Sequence, residues 1–202
     1  MLAADLEEIV VDWRPNGKAR AELLSKGADG GLAEILTGLG SLTFGEMAGE
    51  RMKLGLLLHD PEEEQDCFSD NTYNEHNGDA IGIAAAYTGN YTRVDGTKVK
   101  GPSLHDLVKA KDPALDKEME GKLNATLTAM KALVHRGETV EKYDQMIGEG
   151  NKEGNATVQK AIDGLLDQTK SIQRVIAALD LGTIKLEGSD SLDNPNAVFT
   201  KK

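Results

Sequence analysis

The sequence predicts an all-α protein, an antiparallel four-helix bundle with an extended C-terminal tail. Three observations carry that prediction. Aromatic residues number 8 in 202, too few for a β-sandwich or barrel interior. Leucine, isoleucine and methionine recur at helical spacing in four stretches, each longer than about 18 residues. Glycine, 22 of 202 residues, punctuates the chain between those stretches. The length suits one domain spanning 1–202, with 183–202 as the tail.

The elements follow in order. Asp5 to Trp13 reads as a short amphipathic helix stopped by Pro15-Asn16-Gly17, and Ala19 to Lys26 as a marginal helical turn. Leu32 to His59 forms the first long helix, with Leu32, Leu36, Leu39, Phe44, Met47, Leu54 and Leu58 as its apolar stripe and Pro61 just beyond. A second helix runs from about Asn71 to Tyr91, aligning Tyr73, Ala80, Ala84, Tyr87 and Tyr91. Arg93 to Lys98 is a polar connection and Ser103 to Ala110 a short turn. Pro113 opens the third long helix, through Leu115, Met119, Leu123, Met130 and Leu133, with an interruption expected near Gly137. Val158, Ala161, Ile162, Leu165, Leu166, Ile172, Ile176 and Leu179 make the fourth, which Gly182 stops. The polar stretch from Thr183 to Lys202 is a tail or a strap over the bundle.

Charge and composition exclude several functions. The 23 basic and 34 acidic residues leave −11, with no Lys/Arg surplus to neutralise phosphates, so nucleic acid is not a partner. No run nears the roughly 18 apolar residues of a membrane span, so no transmembrane segment is expected. One cysteine, Cys67, rules out an intrachain disulfide framework and any multi-cysteine metal site.

Candidate chemistry concentrates in two places. At about 100° per residue, Glu50 projects within the apolar arc of the first long helix, between Met47 and Leu54. Arg51 lies on the opposite flank and Glu46 one turn earlier. A carboxylate on a buried face must be paired, protonated or metal-bound. Glu46 and Glu50 are therefore oxygen ligands inside a bundle, or Glu50 makes a structural ion pair with an arginine, or the arc faces a wet cleft. Asp66, Cys67, Ser69, Asp70 and Asn71 gather polar groups at a helix start. They read as caps for the first-turn amides or as the polar wall of a binding site, with Cys67 packed rather than nucleophilic. His59-Asp60-Pro61-Glu62 and His135-Arg136-Gly137-Glu138 match a loose H-x-x-E spacing, but Pro61 and Gly137 spoil the helices it needs. His76 lies on the apolar side of its helix and reads as a core histidine. Gly38-x-Gly40 lacks the third glycine of a nucleotide cradle, and Asp190, Asp193, Asn194 and Asn196 lack EF-hand spacing.

Several longer motifs add a resemblance. Gly49-Glu50-Arg51-Met52, Cys67-Phe68-Ser69-Asp70-Asn71-Thr72, Tyr91 to Gly96, Tyr143-Asp144-Gln145 and Glu187 to Asn196 together resemble the imelysin-like family, particularly its iron-regulated protein A branch. The resemblance implies an exported, periplasmic or cell-envelope protein built of two packed helical bundles, associated with iron uptake and nominally classed with metallopeptidases. This chain corresponds to the C-terminal bundle, so a missing N-terminal bundle or a second copy is an expected partner. The family's G-x-H-x-x-E motif has no match here, since Leu57 and Leu133 stand where the glycine belongs. Tyr73 follows Thr72 where many relatives carry histidine. Enzymatic activity is thus left open, leaning against. The resulting expectation is a protein that binds iron, or an iron-bearing ligand, through Glu46, Glu50, Arg51, Asp66, Cys67, Ser69, Asp70 and Asn71. The alternatives are an imelysin-type metallopeptidase and an interaction module. Iron or another divalent metal is a possible cofactor.

Overall fold

A computed structural model describes Leu2 to Phe199. It is all-α apart from one two-stranded hairpin. Helices α1 (Leu2–Asp12) and α2 (Lys18–Ser25) lead into α3 (Gly27–Ser41), a π-helix (Leu42–Lys53) and α4 (Leu54–Leu58), which form one continuous rod. A 3-10 turn at Pro61–Glu63 precedes α5 (Thr72–Thr88). Strands β1 (Asn90–Thr92) and β2 (Lys98–Lys100) pair antiparallel, with Tyr91 opposite Val99. Then come α6 (Leu104–Lys111), α7 (Pro113–Thr139), α8 (Tyr143–Ile147), α9 (Lys152–Ala178), α10 (Asp190–Asp193) and α11 (Pro195–Val198).

Helix α9 organises the packing. It lies against α7 along one side and against α3 and the π-helix along the other, while α5 packs on α7. Its stripe of Val158, Ala161, Ile162, Leu165, Ile172, Val175 and Ile176 is buried, opposite Leu115, Met119, Leu123, Met130 and Leu133 of α7. Burying an aliphatic side chain of this size contributes about 1.5–3 kcal/mol, so this seam is the main source of stability. Asp112 starts α7 well. Its carboxylate accepts from the amides of Ala114 and Leu115, each at 3.0 Å, with Pro113 in the first turn.

Several expectations need correction. Helix α7 runs through Gly137 without interruption, because Tyr73 of α5 lies across that position and needs the missing side chain. A Cβ there would fall 2.4 Å from the Tyr73 ring. Tyr91 is not on the second helix. That helix ends at Thr88, Gly89 takes a left-handed φ of 66°, and Tyr91 sits exposed in β1. Gly96, at φ 84°, closes the hairpin. Gly182 does not itself stop the last helix, which ends at Ala178, before Asp180 turns left-handed.

The tail is a strap rather than an extended segment throughout, since α10 and α11 lie within it; its last residues, 200–202, fall outside the described chain. It docks on the glycines of the rod. A Cβ at Gly49 would fall 2.3 Å from the Ser189 side chain, and the Ser191 hydroxyl donates to the Gly49 carbonyl at 2.9 Å.

Candidate functional site

The first long helix does not keep α-helical phase where its chemistry sits. From Leu42 to Lys53 the rod is π-helical, twelve residues of i→i+5 hydrogen bonding. Residues five apart share a line, so Arg51 stacks on Glu46 with its Nε 3.0 Å from the Glu46 carboxylate. Glu50, expected inside the apolar arc, is instead exposed. It lines a cleft of about 340 Å³ with Leu54, Leu58, Asp60, Glu63, Asp190, Ser191 and Val198. Arg51, expected on the opposite flank, is the half-buried member. Extrapolating 100° per residue through a π-helix exchanges the two.

Arg51 is the hub of a charge cluster. Its Nη1 donates to Glu75 at 2.8 Å and to Asp79 at 2.9 Å, both one turn apart on α5. Only Glu46 was named from sequence among these three carboxylates. Burial pushes the Glu75 carboxyl up; the Arg51 guanidinium opposes that, and Asp79, Asp66 and Glu46 reinforce it. Asp79 is likewise pushed up by burial, against Arg51. Glu64, almost fully buried, rises through burial and through Asp144, Asp70 and Asp66, while a hydrogen bond from the Thr72 hydroxyl at 3.0 Å opposes the rise. One guanidinium thus faces more carboxylates than it neutralises.

The loop before α5 is partly recruited. Asp66 and Asp70 contribute charge to this cluster, and the Asp66 amide donates to the Thr72 hydroxyl at 3.0 Å. Asp70 holds a left-handed φ of 54°, and Lys142 reaches it at 4.0 Å while donating to the Tyr73 hydroxyl at 2.7 Å. Asn71 precedes the helix without capping an amide; its side chain accepts from Asn74 at 2.9 Å. The capping expected of Ser69, Asp70 or Asn71 is therefore not what the loop does. Cys67, expected to pack, is exposed, as are Ser69 and Phe68.

Beneath this surface lies a group for which burial alone was foreseen. His76 is completely buried, its ring edge-on to Tyr143 with centroids 5.3 Å apart. Neither ring nitrogen makes a well-aligned hydrogen bond among the described residues, although the Arg51 backbone lies against the ring, and the nearest carboxylate oxygen, on Glu75, is 3.6 Å from Nδ1. Burial and the Arg51 charge hold its pKa down to about 3, against a contact with the Arg51 backbone that favours the protonated ring. The Tyr143 hydroxyl, Glu75 Oε2 and Asp144 Oδ1 are also buried without partners. Such groups are rare in folded proteins, because each forfeits about 1–3 kcal/mol. The Tyr143-Asp144 motif thus closes on the Arg51 motif from α8. Neither loose H-x-x-E match forms a site. His59 turns left-handed and bonds the Ile147 carbonyl at 2.7 Å, while His135 and Glu138 are both exposed.

Four of the motifs that carried the family resemblance therefore lie at or beside the π-helix, while Tyr91 to Gly96 stands apart in the exposed β1–β2 hairpin. The family model for imelysin, Peptidase_M75, matches residues 1–172. This chain belongs to the imelysin family. No curated protein matches the chain. Among the described residues of this imelysin-family chain, no helix is long and apolar enough to cross a membrane.

Proposed function

We propose that this imelysin-family chain serves iron uptake in the periplasm or cell envelope as a binding protein, its 1–202 forming one antiparallel four-helix unit with a strapped tail. It takes iron, or a positively charged iron-bearing ligand, at the acidic surface formed by Glu46, Arg51, Asp66, Asp70, Glu75 and Asp79. The observation that carries this reading is the surplus of carboxylate at that surface. Glu64, Glu75 and Asp79 are all pushed toward their neutral forms even though Arg51 grips two of them. A bound cation would restore their ionised forms, so affinity rises with pH through that raised range. The Arg51 guanidinium sits where a bare ion would be chelated, which favours recognition of a cationic complex through its outer atoms. Asn71 borders this surface, whereas Glu50, Cys67 and Ser69 do not form part of it.

Titration calorimetry tests the reading with two probes, Fe(II) under nitrogen and a positively charged ferric hydroxamate. Glu75→Gln and Asp79→Asn should each weaken binding at least tenfold, with helicity retained by circular dichroism. Isotherms unchanged in both variants, or no binding by the unmodified chain, would overturn it.

A further inference from the structure

A second convergence of polar groups lies at the far end of α5, twelve residues and about 18 Å along the helix from Glu75. Asp116, in the first turn of α7, is 3% exposed. Its Oδ1 accepts from the Tyr87 hydroxyl at 2.9 Å and from His105 Nδ1 at 2.8 Å. Glu120, one turn further on α7, brings a carboxylate oxygen to 3.6 Å from the same His105 nitrogen. Among the described residues, this is the one place where three His, Cys, Asp or Glu side chains bring a ligand atom each within 4.8 Å of one another.

We infer that His105, Asp116 and Glu120 form a binding site for a first-row divalent metal ion, independent of the Arg51 surface. Ligand atoms bound about 2.1 Å from one ion stand about 3.0–3.5 Å apart in octahedral or tetrahedral geometry, close to the separations already present. Two carboxylates and a neutral imidazole balance a divalent charge, whereas no lysine or arginine pairs with Asp116 among the described residues. One nitrogen and two oxygens suit zinc, iron, cobalt or manganese better than magnesium or calcium. The outer support is built as well. Tyr87 anchors Asp116 from α5, as ligating carboxylates require. The Ser103 hydroxyl accepts from the Asp106 amide at 3.1 Å, fixing the turn that presents His105. On binding, the neutral ring moves its one proton from Nδ1 to Nε2, and the freed Nδ1 lone pair takes the ion in place of the hydrogen bond to Asp116. Coordination from Nδ1 alone leaves further positions to water.

Calorimetry with Zn(II), and visible absorption of added Co(II), test this on the full chain. The expected result is one ion per chain and a Zn(II)-dependent rise in melting temperature. His105→Ala and Glu120→Gln should each weaken binding at least tenfold and abolish the Co(II) bands, while Glu75→Gln leaves both readouts unchanged. A merely structural His–Asp–Tyr tie would show no metal-dependent melting shift. Absence of Zn(II) and Co(II) binding, or equal affinity in the unmodified chain and both variants, overturns the inference. Loss of iron binding in Glu75→Gln with retained Zn(II) binding would separate the two sites. Iron binding retained in Glu75→Gln, with Zn(II) binding lost in His105→Ala, would sink the Arg51 reading alone. Loss of Zn(II) binding in Glu75→Gln would overturn the independent site.

Discussion

The two ends of α5 bury polar groups under opposite terms. At the C-terminal end, Tyr87 gives its hydroxyl proton to Asp116, which also holds His105, so the buried groups there close on one another. At the N-terminal end, His76 and Tyr143 meet edge to face and neither makes a well-aligned hydrogen bond among the described residues. The same helix is therefore tied down at one end and held under polar frustration at the other. Closed networks stabilise and specify a fold, whereas buried groups left unpaired are tolerated where something other than stability keeps them. That difference is what places the proposed iron-ligand surface at the Arg51–His76 end, with the Tyr87 end as a preassembled polar support.

Deletions at the two ends should have opposite signs, and this is the strongest way to break the comparison. Asp116→Ala strips the acceptor from Tyr87 and His105 together and should destabilise by about 3 kcal/mol. His76→Met replaces an unpartnered polar ring by an apolar chain of similar length and should be neutral or stabilising in urea unfolding. Equal losses for the two variants would show that His76 has a partner after all.

Protonation gives a second contrast. His76 is faced by Arg51 from the π-helix, Glu75 on its own helix and Tyr143 from α8, and its pKa is held down to about 3. Below the ordinary histidine range the unfolded chain takes up a proton that the folded chain refuses. The resulting stability is present above about pH 6.5 and is lost as pH falls toward 3, by at most about 1.4 kcal/mol per unit. Glu64, Glu75 and Asp79 act the other way. Their folded carboxyls are pushed up, so their contribution is greatest in acid and fades as pH rises through the raised range. Subtracting His76→Met from the unmodified chain removes the carboxylate part. The unmodified chain should fall progressively below His76→Met in urea melts from pH 7 to pH 5, and a pH-independent difference would contradict the burial of a neutral His76.

The sequence already showed where apolar side chains must face. Val158 to Ile176 keep α-helical phase throughout α9, so their burial follows from spacing alone. The charge cluster was legible only in part. Glu46 and Arg51 drew notice, but their pairing depends on i→i+5 stacking, and nothing in a 3.6-residue periodicity announces a π-helix. Glu75 and Asp79 were passed over because surface acids are abundant here, and only the partner helix reveals that Arg51 reaches them. The spacing of Asp116 and Glu120, four apart, was visible in principle. Their convergence with His105 needed the turn between α6 and α7, which no periodicity fixes. The hairpin was signalled by Gly96, the left-handed residue that closes the three-residue loop Val94-Asp95-Gly96 between Arg93 and Thr97.

The smallest contrast isolates a single oxygen at each end. Tyr87 and Tyr143 are both buried to about 1% exposure, and in both burial drives the phenol's pKa upward. Only Tyr87 has a carboxylate to receive its proton. Tyr87→Phe removes a charge-assisted hydrogen bond and leaves the Asp116 oxygen with one donor fewer, a loss of about 1–2 kcal/mol. Tyr143→Phe removes a hydroxyl that bonds nothing, so the transfer of a phenol out of water no longer opposes folding, and stability should hold or rise by about 1 kcal/mol. The ring itself stays against His76 in either case, so packing does not confound the pair. Matched urea melts at pH 7 read the outcome directly. If Tyr143→Phe proves as damaging as Tyr87→Phe, the polar groups under Arg51 are satisfied within the chain, and the case for a ligand there rests on charge alone.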